Sequence, residues 1–436
     1  MMAALTAEFR VDGQVWWEGF GALMDRIRPR FARFEPARHA AALVQGLLSG
    51  LPRKNCWTIA EHRGDARPDG LQHLLSRAKW DAEAVRDDLR GYVVDAFADP
   101  SAVLIVDETG DVKKGALTVG TQRQYTGTAG RIENSQVAVY LTYAAPAGHA
   151  LIDRALYLPE SWTSQPDRLE RAGVPADVEF ATKPALAAGM IERALDAGVP
   201  AAFVAGDEVY GNDPALRGMV AARGLGYVLA VASNRRVTTS DGVRRSVKDL
   251  AAGLPAGSWQ RQSAGAGTKG HRFYSWALIQ TLEPDLPGRH WMMVRRNDST
   301  GELAYYRCSA PAPVPLTTLV RVAGQRWKVE ESFQTAKGQA GLDEHQVRTW
   351  TSWHRWTVLA MLAMAFLAVI TATQNERRPA PADLVPISNA ELRHLFDRLT
   401  AGAHATLEQT IHWSHWRRRH QATARNAHYR RRSQPL

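Results

Sequence analysis

Residues 102–107 read AVLIVD, and residues 201–207 read AAFVAGD. Each is a short apolar run that ends on an aspartate. Runs of this kind, without a polar interruption, fit strands buried on both faces of a helix-covered sheet. A strand with one wet face would alternate instead. The two runs therefore predict two inner strands, with Asp107 and Asp207 at their ends. Glu108 and Glu208 follow directly. A single strand-terminal acid is commonly a turn or cap residue. Two of them call for a look at what else the chain brings along.

Around these runs the pattern switches between strand and helix. VGTQRQY (119–125), SQVAVYLTY (135–143) and HALIDRALYL (149–158) read as strands with Gly-bearing connections. Lys183-Pro184 opens a helix with Ala187, Met190, Ile191, Ala194 and Leu195 on its apolar face. Residues 214–223 read as helix and GYVLAV (226–231) as strand. The expected fold class is α/β, a mixed sheet covered by helices over residues 99–233. Residues 234–317 are less regular. FYSWALI, HWMMVRR and LAYYRC alternate there with Gly, Pro and polar turns, which predicts a β-rich insertion.

Helix returns over 318–375, and within it Arg326 to Lys337 read RWKVEESFQTAK. At about 100° per residue, Arg326, Glu330 and Lys337 fall within an arc of about 40°. Val329, Phe333, Ala336 and Ala340 form an apolar ridge beside them. Glu331 points about 100° away and is the weaker member of the set. A solvated helix with i, i+4 ion pairs would show the same charges. The two strand-terminal acids upstream favour the functional reading.

Residues 1–98 carry helical periodicity, from Trp16, Phe20, Leu23 and Ile27 onward. Two short helical patterns, near 55–63 and 69–79, are joined by a loop with Gly64 and Pro68. Arg53, Lys54, His62, Arg63, Arg67, Arg77 and Lys79 surround them, so a helical DNA-binding domain with a helix-turn-helix is expected. An ordinary helical bundle with a basic surface is the alternative. Residues 376–436 form a basic C-terminal segment. After Glu408 it holds no acid, and Arg417, Arg418 and Arg419 lie among Trp413, Trp416 and Tyr429. Such a tail suits phosphate contacts and base stacking. Trp356 to Ala372 is the longest apolar run; it is short for a membrane span and is expected as a buried core helix, with no membrane partner.

The 436 residues carry a net charge of +10, which favours a polyanionic partner, above all nucleic acid. Cys56 and Cys308 are the only cysteines, so neither a disulfide framework nor a cysteine-rich zinc site can be built. A reducing cytoplasm fits, and no secretory leader is expected from the charged stretch with Glu8, Arg10 and Asp12. No Walker-type glycine loop, dinucleotide fingerprint or HExxH motif occurs.

Three carboxylates brought together would make an all-oxygen site that needs cations. Hard oxygen donors select Mg²⁺, with Mn²⁺ as its substitute. Two such ions about 4 Å apart can activate a water or a 3′-hydroxyl for in-line phosphoryl displacement. Arg326 and Lys337 on the helix, and Lys113 and Lys114 after the first acid, would hold phosphate.

At this point the chain resembles a family, the DDE transposases of bacterial insertion sequences, specifically the insertion-sequence-701 group within the insertion-sequence-4-like superfamily. The resemblance runs through VDETGDVKKG (106–115), VGTQRQYTGTAGRIENSQV (119–137), LIDRALYLPESWT (151–163), AGDEVYGND (205–213), RWKVEESFQTAKGQAGLDEHQVRTW (326–350) and WSHWRRRHQ (413–421). The superfamily's Tyr-x2-Arg-x3-Glu-x6-Lys spacing is met by Arg326, Glu330 and Lys337, with Ala323 at the tyrosine position. The resemblance implies a ribonuclease H-like core in which Asp107, Asp207 and Glu330 are the catalytic, metal-binding triad. It implies an enzyme that excises its own element and joins the ends to target DNA, working as a homo-oligomer on paired ends in a bacterial cytoplasm, associated with the nucleoid. Insertion tryptophans stabilise a flipped base in related enzymes. Trp259, Trp276 and Trp291 occupy that region, and core packing is the better reading for each. A DNA-binding protein without catalysis and a nuclease that cuts without joining are the competing classes.

Overall fold

The computed structural model describes residues 13–267, 270–380, 385–400, 416 and 423. Arg417, Arg418 and Arg419 of the predicted basic tail lie outside the described residues. The chain divides into two compact units. One comprises Met1–Ala82, Lys337–Gln346 and Thr351–Leu436, and the other Glu83–Ala336 and Val347–Trp350.

The first unit is helical where described. Helix α1 (Gly13–Ile27) buries Trp16, Phe20, Leu23 and Ile27, one stripe at helical spacing. The Phe20 ring meets Phe366 edge-on at 5.6 Å and Phe396 at 5.8 Å. Helix α2 (Phe34–Leu47) is followed by α3 (Cys56–His62) and α4 (Asp69–Ser76). Asn55 starts α3 with a capping box: its Oδ1 accepts from Trp57 N at 2.9 Å and Thr58 N at 3.1 Å, while Thr58 Oγ1 accepts from Asn55 N. The unit also holds α14 (Trp350–Arg377) from Thr351 on, and α15 (Asn389–Thr400). Among the described residues α14 is the one helix long and apolar enough to cross a membrane, and 78% of its most apolar window is buried in protein. Arg355 from α14 is buried and donates to the carbonyls of Leu74, Ala78 and Trp80, which end α4 and the turn after it.

The second unit is a mixed sheet with helices on it. Helix α5 (Ala82–Phe97) leads into β1 (Val103–Val112), β2 (Gln122–Thr126), β3 (Arg131–Ala145) and β4 (Gly148–Leu156). Short α6 (Glu160–Thr163) and α7 (Pro166–Ala172) precede α8 (Lys183–Asp196), β5 (Phe203–Gly206), α9 (Glu208–Gly211), α10 (Pro214–Ala222) and β6 (Gly226–Val231). Strands β1, β5 and β6 are parallel, and β3 pairs antiparallel with both β1 and β4. The apolar runs 102–107 and 201–207 thus do lie at the centre, where both faces are covered. β1 does not end at Asp107, however. It continues to Val112 because β3 pairs with it as far as Val112↔Ser135, so this acid sits in mid-strand. β2 is shorter than its predicted run and begins at Gln122.

Residues 234–317 contain β7 (Arg236–Thr239), β8 (Arg244–Ser246), α11 (Val247–Ala252), β9 (Gln260–Gly267), β10 (Gly270–Leu282), β11 (Arg289–Arg296) and β12 (Leu303–Ala310). These strands are not a separate layer. β12 pairs with β6, and the order β2-β3-β1-β5-β6-β12-β11-β10-β7-β8 forms one sheet among the described residues. Helix α12 (Leu316–Gln325) packs Leu319, Val320 and Val322 on Val103, Ile105, Phe203 and Ala205. Gly324 permits the close approach, since a Cβ there would lie 2.0 Å from the carbonyl oxygen of Ala264 in β9. Helix α13 (Trp327–Ala340) follows directly. Trp276 is buried in this core; Trp291 and Trp259 are partly buried against it and the neighbouring one, with Arg296 4.3 Å over the Trp259 ring.

Candidate active site

The parallel register of β1 and β5 runs from Val103↔Phe203 to Val106↔Gly206. One residue further sets Asp107 beside Asp207. Side chains alternate along a strand, so Asp107 shares its face with Val103 and Ile105, and Asp207 with Phe203 and Ala205. That is the face packed by α12. Neighbouring strands lie about 4.8 Å apart, which makes the two aspartates close neighbours. Asp207 also caps α9, its Oδ1 accepting from Val209 N at 2.8 Å. Asp107 Oδ1 accepts from Glu108 N at 2.8 Å.

Arg326 reaches both this pair and the third predicted acid. Its Nη1 lies 3.6 Å from Asp107 Oδ2, and its Nη2 lies 2.6 Å from Glu330 Oε1. Arg326 joins α12 to α13 with helical backbone angles, φ −51 and ψ −33, which is why the i, i+4 spacing brings it onto Glu330. Burial and then the neighbouring Asp207 charge push the Asp107 carboxyl up to about 7, with Arg326 opposing. Burial and then Glu108 raise Asp207 as well. Two adjacent carboxylates that resist ionising attract either a proton or a cation.

The residue after Asp107 points to the other face and has its own partners. Glu108 accepts from Lys183 Nζ and from Tyr210 Oη, both at 2.6 Å. Tyr210 is fully buried, and burial followed by the Glu108 charge raises its phenol well above the usual range. Nothing local in the sequence brings Lys183 and Tyr210 to Glu108, from which they stand 75 and 102 residues away. The signal the sequence does carry is the repeated Asp-Glu after each apolar run. On α13, Glu331 pairs with Lys328 at 2.7 Å and with His149 Nε2 at 3.3 Å, while His149 Nδ1 meets Ser332 Oγ at 2.9 Å. The His149 hydrogen bond leads in holding Glu331 down near 2. These contacts fix the rotation of α13 with Glu330 turned to Arg326.

The remaining predicted residues are spread out. Lys113 lies just past the end of β1, 3.9 Å from Asp111, with the exposed Lys114 next to it. Lys337 stands on α13 two turns beyond Glu330. Among the described residues, no three His, Cys, Asp or Glu side chains already converge as a metal cage. The donor set still fits a hard divalent cation: Asp107 and Asp207 offer carboxylate oxygen only, side by side, and their mutual repulsion is what a cation would relieve. Glu330 touches the pair through Arg326 in this arrangement.

Residues 27–261 match the family model described as DDE superfamily endonuclease, and residues 172–366 match the transposase DDE domain. Over 238 residues the chain is 31% identical to the probable transposase for insertion sequence element IS701 of Microchaete diplosiphon, covering 54% of this chain and 57% of that protein. The chain thus spans a little over half the length of that relative. Among solved structures, the piggyBac transposase in a synaptic complex with hairpin DNA aligns at a TM-score of 0.46 and 11% identity, over 84% of this chain and 71% of that one.

Proposed function

This chain belongs to the DDE superfamily of endonucleases, and we propose that it is the transposase of an insertion sequence, cutting DNA at the element's ends and joining those ends to target DNA. The observation that carries this reading is that Asp107 and Asp207 each directly follow the last pair, Val106↔Gly206, of two adjacent parallel strands, with each acid held above its ordinary carboxylate range. Asp107, Asp207 and Glu330 would hold Mg²⁺, or Mn²⁺ in its place. When bound, the metal supplies Lewis acidity for in-line displacement at phosphorus.

The chain's own residues set the stage for that chemistry. Parallel strands fix the spacing of the two aspartates, and the α9 turn orients Asp207 through Val209 N. Arg326 spans Asp107 and Glu330 and supplies positive charge where a phosphate would approach. Lys337 extends that charge along α13. Glu108, held by Lys183 and Tyr210, ties β1 to the starts of α8 and α9. The strand order β4-β3-β1-β5-β6, antiparallel through β1 and parallel from there to β6, supports assigning a ribonuclease H-like core, with β7–β12 as its insertion.

DNA is the substrate in this reading, bound by a homo-oligomer in a bacterial cytoplasm. Helices α3 and α4 would read element ends, and Lys113, Lys114 and the tail arginines Arg417, Arg418 and Arg419 would add phosphate contacts. The test is cleavage of a duplex carrying the gene's own flanks, with Mg²⁺ and with EDTA, by wild type and Glu330→Gln. Metal-dependent cutting at the element ends, lost in the variant, is expected. End-specific binding without cutting by wild type would replace the enzyme with a DNA-binding protein.

A further inference from the structure

Beyond Asp107, β1 runs on for five residues, and the hairpin of β2 and β3 curls back onto it. Two contacts mark the return. A Cβ at Gly110 would lie 2.4 Å from Thr126 Oγ1, so a glycine there is what lets the hairpin settle. Thr128 Oγ1 lies 3.5 Å from Thr109 Oγ1, two residues from Asp107. The hairpin tip is therefore a neighbour of the acids, not a distant projection.

Its surface is unusual for a strand pair. Tyr125 and Ile132 stand directly across from each other and are 64% and 58% exposed. Large apolar side chains held out in water next to a catalytic centre are suited to meeting a partner. The charge around them identifies its class. Between residues 112 and 152 the chain carries Lys113, Lys114, Arg123 and Arg131 against Glu133 alone. Arg123 is exposed, and Arg131, paired to Glu133 at 2.8 Å, is 75% exposed at its side chain. Arg123, two residues from Tyr125 and on its face, and Arg131, next to Ile132 in the chain, put positive charge beside an apolar pair, which matches nucleic acid with its phosphates and base faces.

We infer that the β2–β3 hairpin is a DNA-contacting wall of the active site. Tyr125 and Ile132 press on the base step beside the phosphate that lies at Asp107 and Asp207, and Arg123 and Arg131 hold the flanking phosphates. The inference rests on the transposase reading above and adds to it a surface that grips the DNA near the cut.

The experiment measures affinity of the full chain for a fluorescent duplex carrying the gene's flanks, across a salt series in EDTA, with thermal melting as a fold control. Tyr125→Ser combined with Ile132→Ser should weaken binding roughly tenfold with the salt slope kept. Arg123→Gln combined with Arg131→Gln should flatten the slope by about two. Gly110→Val should reproduce the binding loss without touching either apolar residue, by pushing Thr126 off β1. Wild-type binding with all three variants indistinguishable from it would overturn the inference and leave the transposase reading standing. Failure of wild type to bind any duplex would sink both. A wild-type dimer that the Tyr125→Ser, Ile132→Ser chain loses in sedimentation, with DNA affinity unchanged, would make the patch a contact between copies and overturn the inference too.

Discussion

Two aspartates in the same sheet, Asp153 buried and Asp107 partly so, are treated in opposite ways. Asp153 on β4 is 1% exposed and accepts from Arg193 Nε at 3.2 Å, from Arg86 Nη1 at 3.5 Å and from Arg154 N at 2.8 Å. Those arginines are themselves shared with Glu83 and Asp87, and Arg90 joins at Asp87. Three carboxylates there meet four arginines. Around Asp107 the balance inverts. Arg326 is shared between Asp107 and Glu330, Lys183 pairs with Glu108, and Asp207 adds a fourth carboxylate. The Asp153 carboxylate is surrounded by matching charge. The carboxylates around Asp107 are left short of it, and in the proposed function that shortfall is the capacity to take a cation.

The contrast can be broken in order of effect. Asp107→Asn or Asp207→Asn should lower DNA cleavage by at least about 10³-fold while leaving DNA binding intact. Comparable turnover in either variant would remove that acid from the site. Asp153→Asn should do the reverse, costing about 3–5 kcal/mol in urea unfolding because buried arginines lose their counter-charge. Its cleavage rate per folded molecule should stay near wild type.

A third expectation concerns pH. The Asp107 carboxyl titrates near 7 in the fold against 3.8 for the free group. Between those values the metal-free fold keeps a proton that the unfolded chain has lost, so stability falls as pH rises through the window. Asp107→Asn should flatten that fall, by a few kcal/mol at about pH 8 at most. Melting curves of both chains in EDTA from about pH 4 to pH 8 check the sign. A wild-type chain that gains stability over the same range would show the carboxylates to be well paired after all. The smallest effect is the metal's own. Millimolar Mn²⁺ should raise the melting temperature of wild type by a few degrees, about 1–3 kcal/mol of binding linkage, and leave Asp107→Asn unmoved.

How much of this was legible in the sequence depends on the range of each contact. The apolar runs before Asp107 and Asp207 announce inner strands because burial on both faces removes alternation. The Arg326–Glu330 pair is legible because helical periodicity alone brings i and i+4 together. Neither shows that the aspartates sit at equal register, since the pairing of β1 with β5 joins segments about a hundred residues apart. The extension of β1 through Thr109, Gly110 and Asp111 hides for a related reason. Those residues lie past the apolar run, and the ladder to β3 is what keeps them extended. Glu108 with Lys183 and Tyr210 is a product of tertiary packing throughout. The β-rich stretch after residue 234 is evident from composition, yet nothing local says that its last strand, β12, completes the central sheet.

That joint has a consequence for how the protein is made. β6 ends at Val231 and its outer neighbour β12 begins at Leu303, so 71 residues lie between the two. At ribosomal speeds of about 5–20 residues per second, the nascent sheet presents β6 as an open edge for roughly 4–14 seconds. An unpaired apolar strand is a template for the wrong partner. Only α12 stands between the strand that fills this edge and the helix bearing Glu330. The sheet is therefore sealed only moments before the third acid emerges, and a chain truncated inside the insertion is left with both an incomplete site and an adhesive flank.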